Sequence, residues 1–520
     1  MNKILYWASC LAVCTACNDF LDEMPDNRTS LDSEKNIASL LVTSYPDQTS
    51  CLIGEFLSDN IDENRHSFTY WHRLDQELYL LQDPTEERQD SPHGLWQSCY
   101  QAIAQANYAL KAIEEKGNPA SLDASRGEAL LCRAYSAFTL ATIFCEVYNH
   151  ETAEKQLGIP YPTEPETTVN PKYERGTLAE VYRRIEADLE TGLPLISDDA
   201  YKVPKYYFNR RAAYAFAARF YLYYMQPDLS NLKKTIEYAT RVLGPEPSAL
   251  LRNWKALGTL SPNREVQPDA YVNANEPANL LLVSAASNVG GIVDAGYTYC
   301  QRYSHNDVTS IEDCQSVGTW GAYTRFYQQP FQPGSGSPKR SFRRVTLYRK
   351  MSVDGNSYWP YTLVPLFTTD ETLITRAEAY ALLGQYNEAA ADISVWQKNF
   401  TTNKVDVTPD DIVSFYSQIP YYEPGKPTVK KHLSPDFIQL DATKEAFIDC
   451  VLHIRRILTL GEGVRWQDVR RYGITVHRRY VEDGVFVEVT DSMPKGDLRR
   501  VVQIPRSIIL SGMEPNSRAK

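Results

Sequence analysis

The chain has no apolar run long enough to cross a bilayer: the N-terminal run Ile4 to Val13 falls far short of the ~20 residues a spanning helix needs. Positive charge is scarce as well. Against 65 Asp and Glu stand 54 Lys and Arg, a net of −11. That balance argues against nucleic acid, whose recognition rests on neutralising phosphates. It argues only weakly against a polyanionic ligand, because a local basic groove can exist on an acidic protein. The 8 histidines never stand at metal-ligand spacing, such as two on one helix turn with a glutamate between. A Gly-x-Ser-x-Gly elbow, a Walker loop and a dinucleotide fingerprint are all missing. No cofactor, metal or catalytic residue is therefore expected, and a glycosidase, which needs two carboxylates at a defined separation, has no support at this level.

What is present begins with an export signal. Lys3 precedes the Ile4–Val13 core, and Cys14-Thr15-Ala16-Cys17 places small residues before a cysteine. This resembles the lipobox of bacterial lipoproteins, in which the cysteine is acylated and becomes the first mature residue. Cys10 and Cys14 are rival acceptors, but Val13 is branched where a small residue is wanted and Ser9 would place the cut very early, so lipidation is assigned to Cys17. Residues 1–16 are then the signal peptide, whose removal takes away one lysine and leaves 53 bases against 65 acids. Each buried methylene of an acyl chain contributes about 0.8 kcal/mol, so several chains hold a folded domain on a membrane that it does not span.

Hydrophobic residues at 43% and charged residues at 23% are ordinary for a globular protein, and 520 residues can bury a large core. The 35 tyrosines are not ordinary. Tyrosine has a flat apolar face and a polar tip, which suits cores, wet interfaces and sugar-stacking platforms alike. Seven cysteines follow the anchor. Cys99, Cys132, Cys145 and Cys450 fall in helical patterns as small buried hydrophobes, Cys51 is left over, and Cys300 and Cys314 flank a polar segment that a disulfide could close.

Three- and four-residue apolar spacing predicts helices over Ser33–Thr43, from Leu95 through Ile113, from Asp123 through Phe144, and over Leu178–Leu193, Asn209–Met225, Leu229–Leu243 and Ala442–Leu460. Ile374–Leu383, Gly384-Gln385-Tyr386 and Asn387–Trp396 have the offsets of a tetratricopeptide hairpin, with glycine ending the first helix. Two stretches are expected to be irregular, the aromatic-rich Leu251–Thr369 and Phe400–Pro435. Val481–Val489 is expected as a strand ending a hairpin. The acidic stretch Gly54–Arg65, with Asp59, Asp62 and Glu63, is expected as a solvated loop in preference to a cation site.

Several separated stretches together resemble the SusD/RagB family of surface lipoproteins of Bacteroidetes-type bacteria. They are Cys17-Asn18-Asp19-Phe20-Leu21-Asp22 with Pro25; Trp96, Tyr100, Ile103 and Asn107; Arg376 to Tyr380 with Gly384 and Glu388-Ala389; Glu462 to Gly473; and Ile504-Pro505 with Glu514-Pro515-Asn516. The resemblance implies a mostly α fold, an α-α superhelix with about four TPR-like helix pairs supporting a loop-rich ligand face. It divides the mature chain into an N-terminal region, 17–250, and a C-terminal region, 251–520. It further implies an outer-membrane lipoprotein facing the cell exterior that hands oligosaccharides, or in the alternative peptides, to a SusC-like TonB-dependent transporter. Glycan-stacking candidates are Tyr70 and Trp71 from the first loop and Tyr297, Tyr299, Trp320, Tyr323 and Tyr327 from the second. Trp320 is expected to be exposed because Gly318 and Gly321 flank it; Trp96 and Trp466 are assigned to the core. Arg465, Asp468 and Arg471 are expected to form a buried ion network, not a catalytic centre.

Overall fold

The computed structural model describes residues 31–65, 71–166, 172–334, 336–351, 355 and 357–518. The assigned lipidation site Cys17, the signal peptide and Tyr70 lie outside the described residues.

Apolar periodicity forms the N-terminal half. Short helices α1 (Glu34–Leu41), α2 (Cys51–Leu57) and α3 (Arg73–Tyr79), with the three-residue strand β1 (Asp62–Asn64) between the last two, lead into two long ones, α4 (Pro92–Glu115) and α5 (Asp123–Phe144). The Ser91 hydroxyl accepts the Gly94 N–H at 3.0 Å, and Pro92 stands in the first turn, where a missing N–H costs nothing. Ala129, Ala134, Ala137 and Ala141 are fully buried in α5. Their small side chains let α4 and α6 (Leu178–Gly192) pack against α5 from two sides. Next come α7 (Arg210–Tyr223) and α8 (Ser230–Leu243), a second hairpin.

The stretch from Leu251 to Thr369 departs from its irregular expectation. Besides the short helices α9 (Trp254–Thr259), α10 (Val266–Tyr271), α11 (Val289–Val293) and α12 (Asp307–Ser310), it holds β2 (Asn279–Ala286), the two-residue strands β3 (Tyr303–Ser304), β4 (Val317–Gly318) and β5 (Gly321–Ala322), then β6 (Tyr348–Met351) and the long β7 (Tyr358–Thr368). The sheet order is β2-β7-β6, antiparallel throughout. Leu280, Leu281 and Leu282 are all buried, so β2 is covered on both faces. The polar alternation that marks a half-exposed strand is missing for that reason.

Two further hairpins follow, α13 (Thr369–Leu382) with α14 (Tyr386–Phe400), and α15 (Pro409–Gln418) with α16 (Ala442–Leu458). Gly384 turns between the first two at φ +75°, the left-handed region that a side chain resists. Helix α15 lies inside the second supposedly irregular stretch; the Thr408 and Asp411 capping box starts it. Four helix hairpins are thus in place, as the expected superhelix requires. Beyond them stand α17 (Arg465–Arg471), β8 (Val476–Glu482), β9 (Val485–Met493) and α18 (Arg506–Leu510). The turn between β8 and β9 is Asp483-Gly484, both at positive φ, so Val481–Val489 crosses the turn and is not one strand. Strand β8 pairs parallel with β1, which ties residue 63 to residue 480. One large apolar cluster runs from Cys51 to Ile504, and a smaller one joins Ile37 and Leu41 of α1 to Ala106, Ala109 and Ile113 of α4. Among the described residues no helix is long and apolar enough to cross a membrane.

Candidate functional site

Charged side chains gather in two buried networks, and both are structural. Glu378 of α13 accepts from Arg471 at 2.8 Å and from the Tyr472 hydroxyl at 2.6 Å, and also pairs with Arg455, which reaches Asp468 at 2.7 Å. Helices α16 and α17 are bound to the late repeat through these contacts, as expected for Asp468 and Arg471. Arg465 instead forks onto Asp59 at 2.8 and 2.9 Å. Asp59 also meets Lys431 and Arg456; Glu312 takes Lys431, Arg456 and Arg479; Asp62 takes Arg479; and Asp313 takes His305 and Arg456. The expectation of a solvated acidic loop at Gly54–Arg65 is therefore wrong for Asp59 and Asp62, which are buried. Four carboxylates face four cations there, so the cluster is close to neutral without a metal. Burial raises the Asp59 and Glu312 carboxyls, but the cations outweigh it and hold Asp59 well below the carboxylate range and Glu312 at about 2.

Two arrangements invite a chemical reading. His453 Nε2 lies against the Ser316 hydroxyl and its Nδ1 is 2.9 Å from the Tyr416 hydroxyl. Ser316, however, donates its proton to the Asp313 carbonyl, so the histidine donates to it, and burial pushes the imidazole down to about 3. The chain is a satisfied core network that activates no nucleophile. His305, Asp313 and Cys314 bring potential metal donors within 4.8 Å of one another. Yet His305 Nε2 is held by Asp313 at 2.9 Å and the Arg456 guanidinium sits 3.2 Å from Asp313, which would repel a cation. Cys300 and Cys314 are both buried thiols; the disulfide is not formed.

The surface offers a different feature. A groove of about 170 Å³ is lined by Asn288, by Gly291 and Ile292 of α11, by Tyr299 beyond it, by Arg349, Tyr358 and Pro360 of the β6–β7 hairpin with the preceding Leu347, and by His72. Arg349 stands opposite Pro360 and Met351 opposite Tyr358 in the strand register. Side chains alternate along each strand, so Arg349, Met351, Tyr358 and Pro360 share the groove face, while Lys350 and Trp359 point to the other. Tyr299 is 41% and Tyr358 57% exposed. Below the floor, the Asp90 carboxylate accepts the Asn288 N–H at 2.7 Å and the Ser287 hydroxyl, pinning the loop. Burial, then the nearby Arg88 charge, pushes the His72 imidazole down to about 4, which leaves it neutral and able both to donate and to accept. One side chain of each useful kind is present: flat rings, an amide, an imidazole and a guanidinium.

Of the sequence candidates among the described residues, Tyr299 alone lines this groove. Tyr297 stands close by, half-buried under the Arg264 guanidinium at 4.6 Å. Trp71, next to His72, is half-buried, with Arg302 over its ring at 5.0 Å and Tyr303 at its edge. Tyr323 and Tyr327 are half-buried against the core away from the groove lining, Tyr327 carrying Lys404 at 4.9 Å. Trp320 reverses its expectation: it is 0% exposed, edge-on to Trp396 at 5.1 Å and beside His453 at 4.9 Å. The flanking glycine has the opposite meaning, since a Cβ on Gly318 would lie 2.4 Å from the indole. The small residue makes room for a ring that folds inward. Tyr358, Arg349, Asn288 and His72 were missed as site residues. The aromatic Tyr358-Trp359-Pro360-Tyr361 run was the available signal, but it says nothing of which ring faces a groove.

Residues 19–222 match the model of the SusD-like family described as starch-binding associating with outer membrane. Among solved structures, the fold is similar to that of a SusD superfamily protein of Bacteroides thetaiotaomicron, at 17% identity and a TM-score of 0.60 over 94% of this chain and 100% of the other. A SusD-like carbohydrate binding protein of Bacteroides vulgatus gives 15% identity and 0.61 over 92% and 96%, and a SusD superfamily protein of Bacteroides fragilis 17% and 0.58 over 92% and 96%. Among curated proteins none matches the sequence. The family match over residues 19–222 and the fold shared with SusD superfamily structures agree: the N-terminal region is similar in sequence to the SusD-like family, and the chain has the SusD fold.

Proposed function

We propose that the protein captures oligosaccharides at the groove between Tyr299 and Tyr358 and delivers them to a SusC-like TonB-dependent transporter, held at the outer membrane by acylation of Cys17. The carrying observation is the pair of exposed tyrosines across one groove, with Asn288, His72 and Arg349 placed for hydroxyl contacts. Sugar C–H faces stack on such rings, each worth on the order of 1 kcal/mol, so a few rings and hydrogen bonds support micromolar to millimolar binding. Weak capture suits a protein that must release its cargo. A groove of about 170 Å³ has room for roughly one pyranose ring, compatible with gripping one unit of a longer chain. No enzymatic step is assigned, because the carboxylates under the groove, Asp90 and Asp294, are buried and engaged by Ser287, Asn288 and Arg343.

A peptide ligand is the second reading, and one observation favours it. Strand β2 is an edge of its sheet. Asp47 accepts from Ala286 at one end and Asn209 donates to Leu280 at the other, while Leu282 and Ser284 line an open groove of about 360 Å³ between. An extended peptide could add a strand there. Calorimetric screening of the mature protein against oligosaccharides and short peptides separates the two readings: glycan binding abolished by changes at Tyr299 and Tyr358 supports the first, and peptide binding abolished by changes along β2 supports the second. Labelled palmitate should enter the wild-type chain and not Cys17→Ala, which should leave the membrane.

A further inference from the structure

Cationic side chains stand at and beneath the groove of a protein whose net charge is −11. Arg349 lines it from an exposed position, and among the described residues no carboxylate forms an ion pair with it. Beneath the floor the fully buried Lys339 ammonium donates to the carbonyls of Gly291 and Ile292, both of which line the groove. Burial lowers this amine to about 8, so it keeps its charge at neutral pH. Arg264 over Tyr297 extends the cationic side; Arg88, close enough to His72 to depress its imidazole, is itself paired with Glu86 at 3.3 Å and adds little. The acids in the neighbourhood are turned away. Asp294 is paired with Arg343, Asp90 is held by Ser287 and Asn288, and Asp75 is buried in α3. For Asp75 and Asp90 burial raises the carboxyl, which reduces what negative charge they could project.

Neutral sugars need hydroxyl partners and stacking surfaces but no guanidinium. Resting on the glycan reading, we propose that the groove selects an acidic glycan, one whose ring stacks between Tyr299 and Tyr358 while its carboxylate or sulfate is taken by Arg349. A planar guanidinium matches either anion with two parallel N–H donors. The buried ammonium below adds a field that solvent screens less than it screens a surface charge.

The test uses matched pairs on the mature protein by calorimetry: oligogalacturonates against their methyl esters for the carboxylate, and sulfated oligosaccharides against their desulfated twins for the sulfate. In at least one pair the acidic member should bind about tenfold tighter than its neutral twin at low salt, the ratio shrinking towards one in 0.5 M salt and in Arg349→Gln. The arm that shows the ratio identifies the anion. Equal binding of both twins, or a ratio that survives in Arg349→Gln, overturns acid selection and leaves glycan capture standing. Failure of every member to bind, with neutral glycans failing too, overturns the capture reading itself.

Discussion

At the scale of single residues, the same ring chemistry has opposite uses at Tyr358 and Trp320, and the neighbours decide which. Tyr358 stands near the start of β7, where few side chains cover it; Trp320 closes a two-strand turn whose flanking Gly318 leaves space for the indole to fold onto Trp396. Replacing Tyr358 by Ala should weaken glycan binding roughly five- to tenfold, as expected for about 1 kcal/mol of stacking, and leave the thermal midpoint nearly unchanged. Replacing Trp320 by Ala should do the reverse: a loss of about 3–5 kcal/mol in denaturant unfolding, from transfer and cavity together. A Trp320→Ala protein that stays as stable as wild type but no longer binds would refute this division. Residue type was legible in the sequence at both positions. Exposure was not, because small flanking residues make room for a ring pointing either way.

At the scale of elements, the hairpins are held by two devices. Caps are one: the Thr408 hydroxyl accepts the Asp411 N–H at 3.2 Å, and Thr408→Ala should cost about 1 kcal/mol and loosen α15, visible as faster amide exchange over Pro409–Gln418. Buried charge is the other. Glu378 joins α13 to Arg455 of α16 and Arg471 of α17, and Glu378→Gln leaves those guanidiniums without their carboxylate, an expected loss of about 3–5 kcal/mol by chemical denaturation. Helices with one apolar stripe were readable from spacing, as α4 and α8 show. Strands β2 and β7 were not, since burial on both faces removes the alternation, and α15 was hidden by its shortness despite the Thr408-x-x-Asp411 signature at its start.

At the scale of the whole molecule, stability should peak in mildly acidic solution. The folded-state carboxyls of Glu378 and Glu312 are held at about 2 because Arg and Lys partners outweigh the effect of burial. Their contribution is present above the unfolded value of about 4.3 and is lost as pH falls through it towards 2. Burial raises Glu128, held by Tyr45 and Tyr201, and Glu462, held by Tyr271, to about 7. For these the folded state binds the proton more tightly, so stability falls as pH rises from about 4.3 through 7. His453 and His72, held neutral by burial, oppose that fall up to the unfolded histidine value of about 6.5, so a thermal scan series from pH 2.5 to 8 should show a steep acid limb, a broad maximum between about pH 5 and 6.5 and a decline beyond it; a midpoint still climbing at pH 8 would contradict the assignment. By itself the sequence determined the helical class, the repeat hairpins, the expectation of an export signal with an anchor cysteine, and the resemblance to a family, because these follow from local spacing and short motifs. Tertiary structure alone decided that Asp59 and Asp62 are neutralised in the core, that Trp320 is buried, and that Tyr299 and Tyr358 line one groove. Each of those depends on partners tens or hundreds of positions away, and side-chain environment is set by contacts that chain order does not encode.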